Sequence, residues 1–230
     1  MSTDDTPRRS ALLRWAERGL WTAALVLLGW VVYSLADGEI FQMRAAGRLD
    51  RALAETARAS TPADDSAAHA EASTGPPPRV TPASGDPIGR LEIPRLGVSV
   101  MVAEGSSADV LRKAVGHLTG TALPGSGGNV ALAGHRDRYF RPLKDIRDGD
   151  EILLTTPQGT FRYRVEWTRI IDPTDLRVLA PTGRPSLTLL TCYPFHFVGH
   201  APHRFAVRAR RIGWQPAGVQ PAARSSEAVS

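Results

Sequence analysis

The sequence predicts a mainly β domain closed into a barrel of seven or eight strands with short helices, preceded by an N-terminal transmembrane helix. Three observations predict it. Short apolar segments recur between turn signals from residue 88 to residue 213. Within one of them Phe161, Tyr163, Val165 and Trp167 alternate with Arg162, Arg164 and Glu166, the period of two that leaves a strand wet on one side. Far upstream, Gly19 to Ala36 is a run of 18 residues without a charge.

The 230 residues suffice for one or two domains. A mean hydropathy of −0.18 excludes a polytopic membrane protein. The 42% hydrophobic content, with five Trp and six Phe, excludes a wholly disordered chain. One cysteine, Cys192, excludes both an internal disulfide framework and a zinc site of several thiolates. The net charge of +5 divides into −2 for residues 1–87 and +7 for residues 88–213. Arginines of the second part are interleaved with Asp137, Asp145, Asp148, Asp150 and Glu166. That mixture reads as a solvated surface, and no nucleic-acid partner is expected.

Taken in order, residues 1–18 form a short N-terminal segment containing Arg8, Arg9, Arg14 and Arg18. Residues 19–36 as a helix reach roughly 27 Å, close to a hydrocarbon core of about 30 Å. Arginines before it and Asp37 and Glu39 after it place the N-terminus in the cytoplasm and the rest of the chain outside. A cleaved signal peptide and a buried core helix are the alternatives. Ser34-Leu35-Ala36-Asp37 is a poor cleavage site, and Trp21, Trp30 and Tyr33 suit membrane interfaces, so an uncleaved signal anchor is expected.

Residues 37–87 read as a stalk and linker. Leu49 and Leu53 recur with alanines at helical spacing across residues 44–60, whereas residues 61–87 are rich in Pro, Ala, Ser and Thr and offer almost nothing to bury. The domain proper spans residues 88–213. Its candidate strands begin at Ile88, Val98, Asn129, Glu151, Phe161, Ser186 and Arg204. Gln158-Gly159 marks a hairpin between the fourth and fifth. Helices are expected at 107–117, capped by Ser107, and at 174–180, capped by Thr174. Gly125, Gly127 and Gly128 in PGSGGN form a turn, since no phosphate-loop lysine follows. Residues 214–230 repeat the linker composition and are expected to be disordered.

Chemistry concentrates on three residues at strand ends. Cys192 closes the apolar run SLTLLTC, where a side chain is both held and reachable. A lone thiol outside the cytoplasm is open to oxidation, which favours a used thiol over an inert one. His135 follows the apolar run Val130 to Ala133 and is the candidate proton partner; the alternative is a loop histidine bonded to Asp137. Arg204 opens the last strand, placed to sit beside Cys192, and its permanent charge suits a developing oxyanion. His196, His200 and His203 have metal-like spacing, but Gly199 and Pro202 break the helix such a site would need.

Together these residues resemble the sortase family of membrane-anchored cysteine transpeptidases. TLLTC at 188–192 matches the family's TLxTC pattern, ALAGHRD carries its histidine and APHRFAV its arginine. The short YPF after the cysteine and the N-terminal anchor look most like class D. The resemblance implies catalysis by Cys192, His135 and Arg204 on a secreted protein bearing a C-terminal LPxTG-like signal. Cleavage would follow the Thr through a thioacyl enzyme, with transfer to an amine of a cell-wall precursor or a pilin lysine. No cofactor is expected. Some sortases bind calcium, but Glu104, Asp109 and Asp137 form no recognisable oxygen cage. The substrate groove is expected to draw on the loop from Pro173 to Pro185 and the segment from Phe195 to His203. The alternatives are another Cys and His cell-wall enzyme, although Leu190-Thr191-Cys192 lacks the glycine of an SxGC motif, and a catalytically silent tethered β-domain.

Overall fold

Alternating apolar residues in the second half of the chain build strands whose inner faces meet in one core. A computed structural model describes residues 6–59, 82–196 and 199–217. The chain divides into two units, residues 1–41 and 42–230.

Helix α1 (Thr6–Ala59) begins in the first unit. It is the one helix among the described residues long and apolar enough to cross a membrane, with mean hydropathy 1.8 in its most apolar window. Trp21, Leu25, Leu28 and Trp30 are each about 60% exposed. In water so much bare apolar surface would be unfavourable, whereas hydrocarbon suits it.

In the second unit the barrel has eight strands: β1 (Pro87–Ile93), β2 (Val98–Glu104), β3 (Val115–His117), β4 (Asn129–Ala133), β5 (Glu151–Thr156), β6 (Gly159–Ile171), β7 (Ser186–Tyr193) and β8 (His203–Pro216). They close in the order β1-β2-β3-β4-β7-β8-β6-β5. Pairs β2–β3 and β4–β7 are parallel and the rest antiparallel. Among the described residues, closure pairs each strand of the barrel on both sides. Leu91, Val130, Leu132, Ile152, Leu154, Tyr163, Leu187, Leu189 and Val207 fill the interior. Burial pushes the Tyr163 hydroxyl up to about 12.

Several sequence-based boundaries shift. The first predicted strand stops at Ile93, because Pro94 lacks an amide donor and opens a 3₁₀ turn, Pro94–Leu96. The predicted helix over 107–117 is capped by Ser107, whose Oγ accepts from Val110 N, but helix α2 covers only Ala108–Lys113. Its remainder is β3, held parallel to β2 by the register Val102 to Val115. The segment after Thr174 is a 3₁₀ turn, Leu176–Leu179, capped by Asp175 rather than Thr174. The Gln158-Gly159 hairpin is present, pairing Thr156 with Gly159. Gly125, Gly127 and Gly128 adopt φ of 85, 79 and 79°, so PGSGGN is a left-handed turn that L side chains would strain.

The later part of α1 packs on the barrel. Ala45 and Leu49 are buried. Gln42 Nε2 donates to Lys113 O, Gln42 Oε1 accepts from Met101 N, and Arg90 pairs with Asp50. Before β1, Gly85 N donates to Glu104 O and Glu104 N to Asp86 O. Most of the predicted linker, residues 60–81, and the predicted tail beyond residue 217 lie outside the described residues.

Candidate active site

Three neighbouring strands set the site, and the period of two decides which side chains reach it. On β7, Leu187 and Leu189 face the core, so Ser186, Thr188, Leu190 and Cys192 share the outer face. The same parity on β8 puts Arg204, Ala206 and Arg208 outside while Phe205, Val207 and Ala209 turn inward. On β4 the outer set is Asn129, Ala131 and Ala133. Registers then align these sets in rows: Cys192 opposite Arg204, Leu190 between Ala133 and Ala206, and Thr188 between Ala131 and Arg208.

His135 continues the row of β4. Gly134 N donates to Leu190 O at 3.1 Å and Thr191 Oγ1 donates to Gly134 O at 2.8 Å, so the chain stays tied to β7 up to the histidine. Beyond it the loop turns back, with Arg138 N and Phe140 N both donating to His135 O. Among the described residues the His135 ring has no hydrogen-bond partner, and no bond to Asp137 forms. Arg136 braces the loop after the cysteine by donating to Pro194 O and Gly199 O, each at 3.0 Å. Tyr193 stacks on Phe205 and Phe195 meets both edge-on, with ring centroids 5.3 to 6.3 Å apart.

Cys192, His135 and Arg204 line one cavity of about 280 Å³. Each is half-buried, and Cys192 is a free thiol. Small Ala133 and Gly134 leave room on the strand face, and Leu111, Leu118, Ile171, Val178, Leu179 and Leu190 make the walls apolar. Arg204 Nη1 donates to Ala201 O and His203 O, 3.3 and 3.1 Å away, which anchors the guanidinium at the cavity rim. The arrangement can hold an apolar side chain next to a nucleophilic sulfur, with a proton carrier and a fixed cation beside it. A larger concavity of about 740 Å³ around Phe161 and Trp214 contains neither cysteine nor histidine, so acyl-transfer chemistry has no nucleophile there.

Of the two segments expected to bind substrate, the Pro173 to Pro185 loop supplies Pro173, Asp175, Leu176, Val178 and Leu179 to the cavity. None of the described residues from Phe195 to His203 lines it. Two local turns shape the loop. Thr174 donates its amide and hydroxyl to Asp172, and Arg177 donates its side chain and amide to Asp175, holding both carboxyls below the usual range. Of the acidic residues weighed as calcium ligands, Glu104 meets buried His117 at 2.7 Å and Asp109 pairs with Arg112.

Sequence reasoning missed a buried polar cluster of Asn129, Ser186, Thr188 and Arg208 behind the cavity. Its signal was an asparagine opening the apolar run NVALA and an arginine within AVRA.

The sequence model of the sortase domain matches residues 91–212. Sortase D of Bacillus subtilis is 36% identical over 132 residues, 57% of this chain and 67% of that protein. Sortase A of Listeria monocytogenes is 30% identical, and the match spans 46% of this chain and about half, 49%, of that protein. Among solved structures, a sortase D5 transpeptidase of Clostridium perfringens superposes with a TM-score of 0.53 at 34% identity, covering 58% of this chain and 83% of that one.

Proposed function

The chain belongs to the sortase family, with class D sortases among those it resembles, and from that premise we propose that it is a surface transpeptidase acting on LPxTG-like signals. The observation that carries this reading is the meeting of Cys192, His135 and Arg204 at one apolar cavity. An extended signal peptide lies along the outer face of β4, β7 and β8. Its leucine enters the cavity, which brings the Thr carbonyl over the sulfur.

Cys192 attacks that carbonyl as thiolate, forming a C–S bond while the carbonyl π electrons move to oxygen. Arg204 and backbone amides near Cys192 stabilise the resulting oxyanion. His135, as imidazolium, protonates the departing glycine amine as the C–N bond breaks, leaving a thioacyl enzyme and neutral imidazole. An incoming amine, from a cell-wall precursor or a pilin lysine, then gives its proton to His135, attacks the thioester and expels the Cys192 thiolate. Water in its place yields hydrolysis.

The first part of α1 anchors the enzyme in the membrane, with the N-terminus cytoplasmic and the barrel outside, where protein substrates leave the secretion pathway. The reading requires no cofactor.

The test is incubation of the full chain in detergent micelles with LPxTG-like peptides and candidate amines, reading cleavage and ligation by mass. Wild type is expected to cut after Thr and Cys192→Ala to be inert. Indistinguishable behaviour of the two, toward every such peptide, would reject the transpeptidase reading.

A further inference from the structure

The wall of the cavity formed by Leu176–Leu179 is a single short 3₁₀ turn, and its local hydrogen bonds alone do not fix such a segment over a strand face. What ties it down lies behind it. Val178 O accepts from Arg208 Nη2 at 2.7 Å, from Asn129 Nδ2 at 2.9 Å and from Thr188 Oγ1 at 3.4 Å. Asn129 Nδ2 also reaches Ala180 O at 3.4 Å, and Asn129 Oδ1 accepts from Thr188 Oγ1 at 2.7 Å. One carbonyl of the wall thus gathers donors from β4, β7 and β8, the three strands that carry His135, Cys192 and Arg204.

Arg208 is the informative member. It is 8% exposed, and its Nε has no hydrogen-bond partner among the described residues. Burying a guanidinium this incompletely satisfied is unfavourable, and an apolar residue of similar volume would serve plain packing better. Trp167, its neighbour across β6 and β8, lies under it at 5.5 Å from the ring centroid, and Glu166 adds an opposite charge nearby. These contacts compensate part of the cost without explaining the choice. Nη1 donates to Ser186 Oγ at 3.4 Å, and Nη2 adds a charge-assisted bond to the Val178 carbonyl beside the neutral ones from Asn129 and Thr188.

We propose that Arg208 is a positioning residue for substrate recognition: by holding Val178 it keeps the Leu176–Leu179 wall closed over the cavity beside Cys192, so that the cavity selects a branched apolar side chain. The identity of the ligand as the leucine of a sorting signal rests on the transpeptidase reading, whereas the holding of the wall does not.

The experiment compares wild type, Arg208→Met and Arg208→Lys, each as the full chain in detergent micelles, with two readouts independent of peptide turnover. Hydrogen exchange of the amides from Leu176 to Ala180 should quicken roughly 10- to 100-fold in Arg208→Met, the loss of one charged hydrogen bond, and stay within about threefold in Arg208→Lys. Isobutyl and methyl methanethiosulfonate each transfer their alkylthio group to the Cys192 thiolate and release methanesulfinate. Wild type should favour the isobutyl reagent about tenfold through the cavity; Arg208→Met should lose that preference and Arg208→Lys keep it. An unchanged methyl rate certifies that the site is folded. If Arg208→Met fails this control, Arg208→Gln, too short to reach Val178, carries the same expectation. Wild-type exchange together with wild-type preference in the neutral variant would overturn the assignment.

With LPxTG-like peptides, KM should rise about tenfold in Arg208→Met with kcat within about threefold. Wild-type turnover with an unchanged KM in that variant overturns the recognition role. A wild type inert toward all peptides, with both other readouts as expected, overturns the transpeptidase reading and leaves the Arg208 assignment standing.

Discussion

Replacing Gly134 by alanine sets a methyl group against a ring that has no room to leave. A Cβ at position 134 would lie 2.8 Å from Cδ2 and 3.0 Å from Cε2 and Cγ of Phe140, a residue fully buried in the core. Carbon atoms in comfortable contact stand about 3.5 to 4.0 Å apart, so ring and backbone must separate by roughly 0.7 to 1.2 Å. Overpacking of this kind costs about 1 to 3 kcal/mol, which for a folded unit of this size lowers Tm by about 2 to 10 °C. The strain also reaches the site, because Phe140 N donates to His135 O and Gly134 precedes the histidine. A misplacement approaching 1 Å costs up to about 10²-fold in rate, so kcat/KM toward an LPxTG-like peptide should fall about 10- to 100-fold. Thermal unfolding and steady-state cleavage read the two effects. Phe140→Leu opens space opposite the new methyl, and the double variant should recover about 1 to 2 kcal/mol relative to additivity. Wild-type stability and rate in Gly134→Ala, or additive losses in the double variant, would refute the claim that this glycine is required by close packing.

Arg204→Ala should lower kcat about 10²- to 10³-fold with little change in KM, measured by peptide cleavage, since in the proposed mechanism it removes an oxyanion donor and leaves the apolar walls of the cavity in place. Asp150 is buried against Arg95 and accepts from Arg147 N, and the hydrogen bond from the Arg95 guanidinium holds its carboxyl below the usual range. A depressed carboxylate contributes stability above its unfolded pKa and loses it as pH falls through the folded value; Asp150→Asn should therefore be less stable at pH 7 and show a shallower decline of Tm on acidification below about pH 4. Leu49 is 5% exposed on the part of α1 that packs on the barrel, so Leu49→Asp should destabilise the full chain by about 2 to 3 kcal/mol in chemical unfolding. An unchanged midpoint would mean that the helix contributes nothing to the folded unit.

Much of the site was legible because its residues sit at the ends of strands whose period of two is written in consecutive side chains. The apolar runs ending near His135 and Cys192 and beginning at Arg204 announced both their elements and their exposed ends. Closure into a barrel also followed from the number of strands and their turn signals. The uncharged run from Gly19 to Ala36 announced a membrane-sized helix, since a local count of charges and length is all that such a helix requires.

Other features needed the folded chain, and the reason is sequence separation. β3 is three residues long, too short for a period to show, and exists only because β2 and β4 flank it. The packing of Ala45 and Leu49 on the barrel depends on partners forty or more residues away, such as Arg90 for Asp50 and Met101 for Gln42. Val178 is unremarkable in sequence, yet its carbonyl collects donors from positions 129, 188 and 208. Sequence by itself determined which residues alternate, where charges stop, and which three side chains are candidates for reactive chemistry, because those are properties of neighbours along the chain. The tertiary structure alone decided how the registers of β4, β7 and β8 align and which buried polar groups brace the cavity, because hydrogen bonds between distant residues leave no local trace.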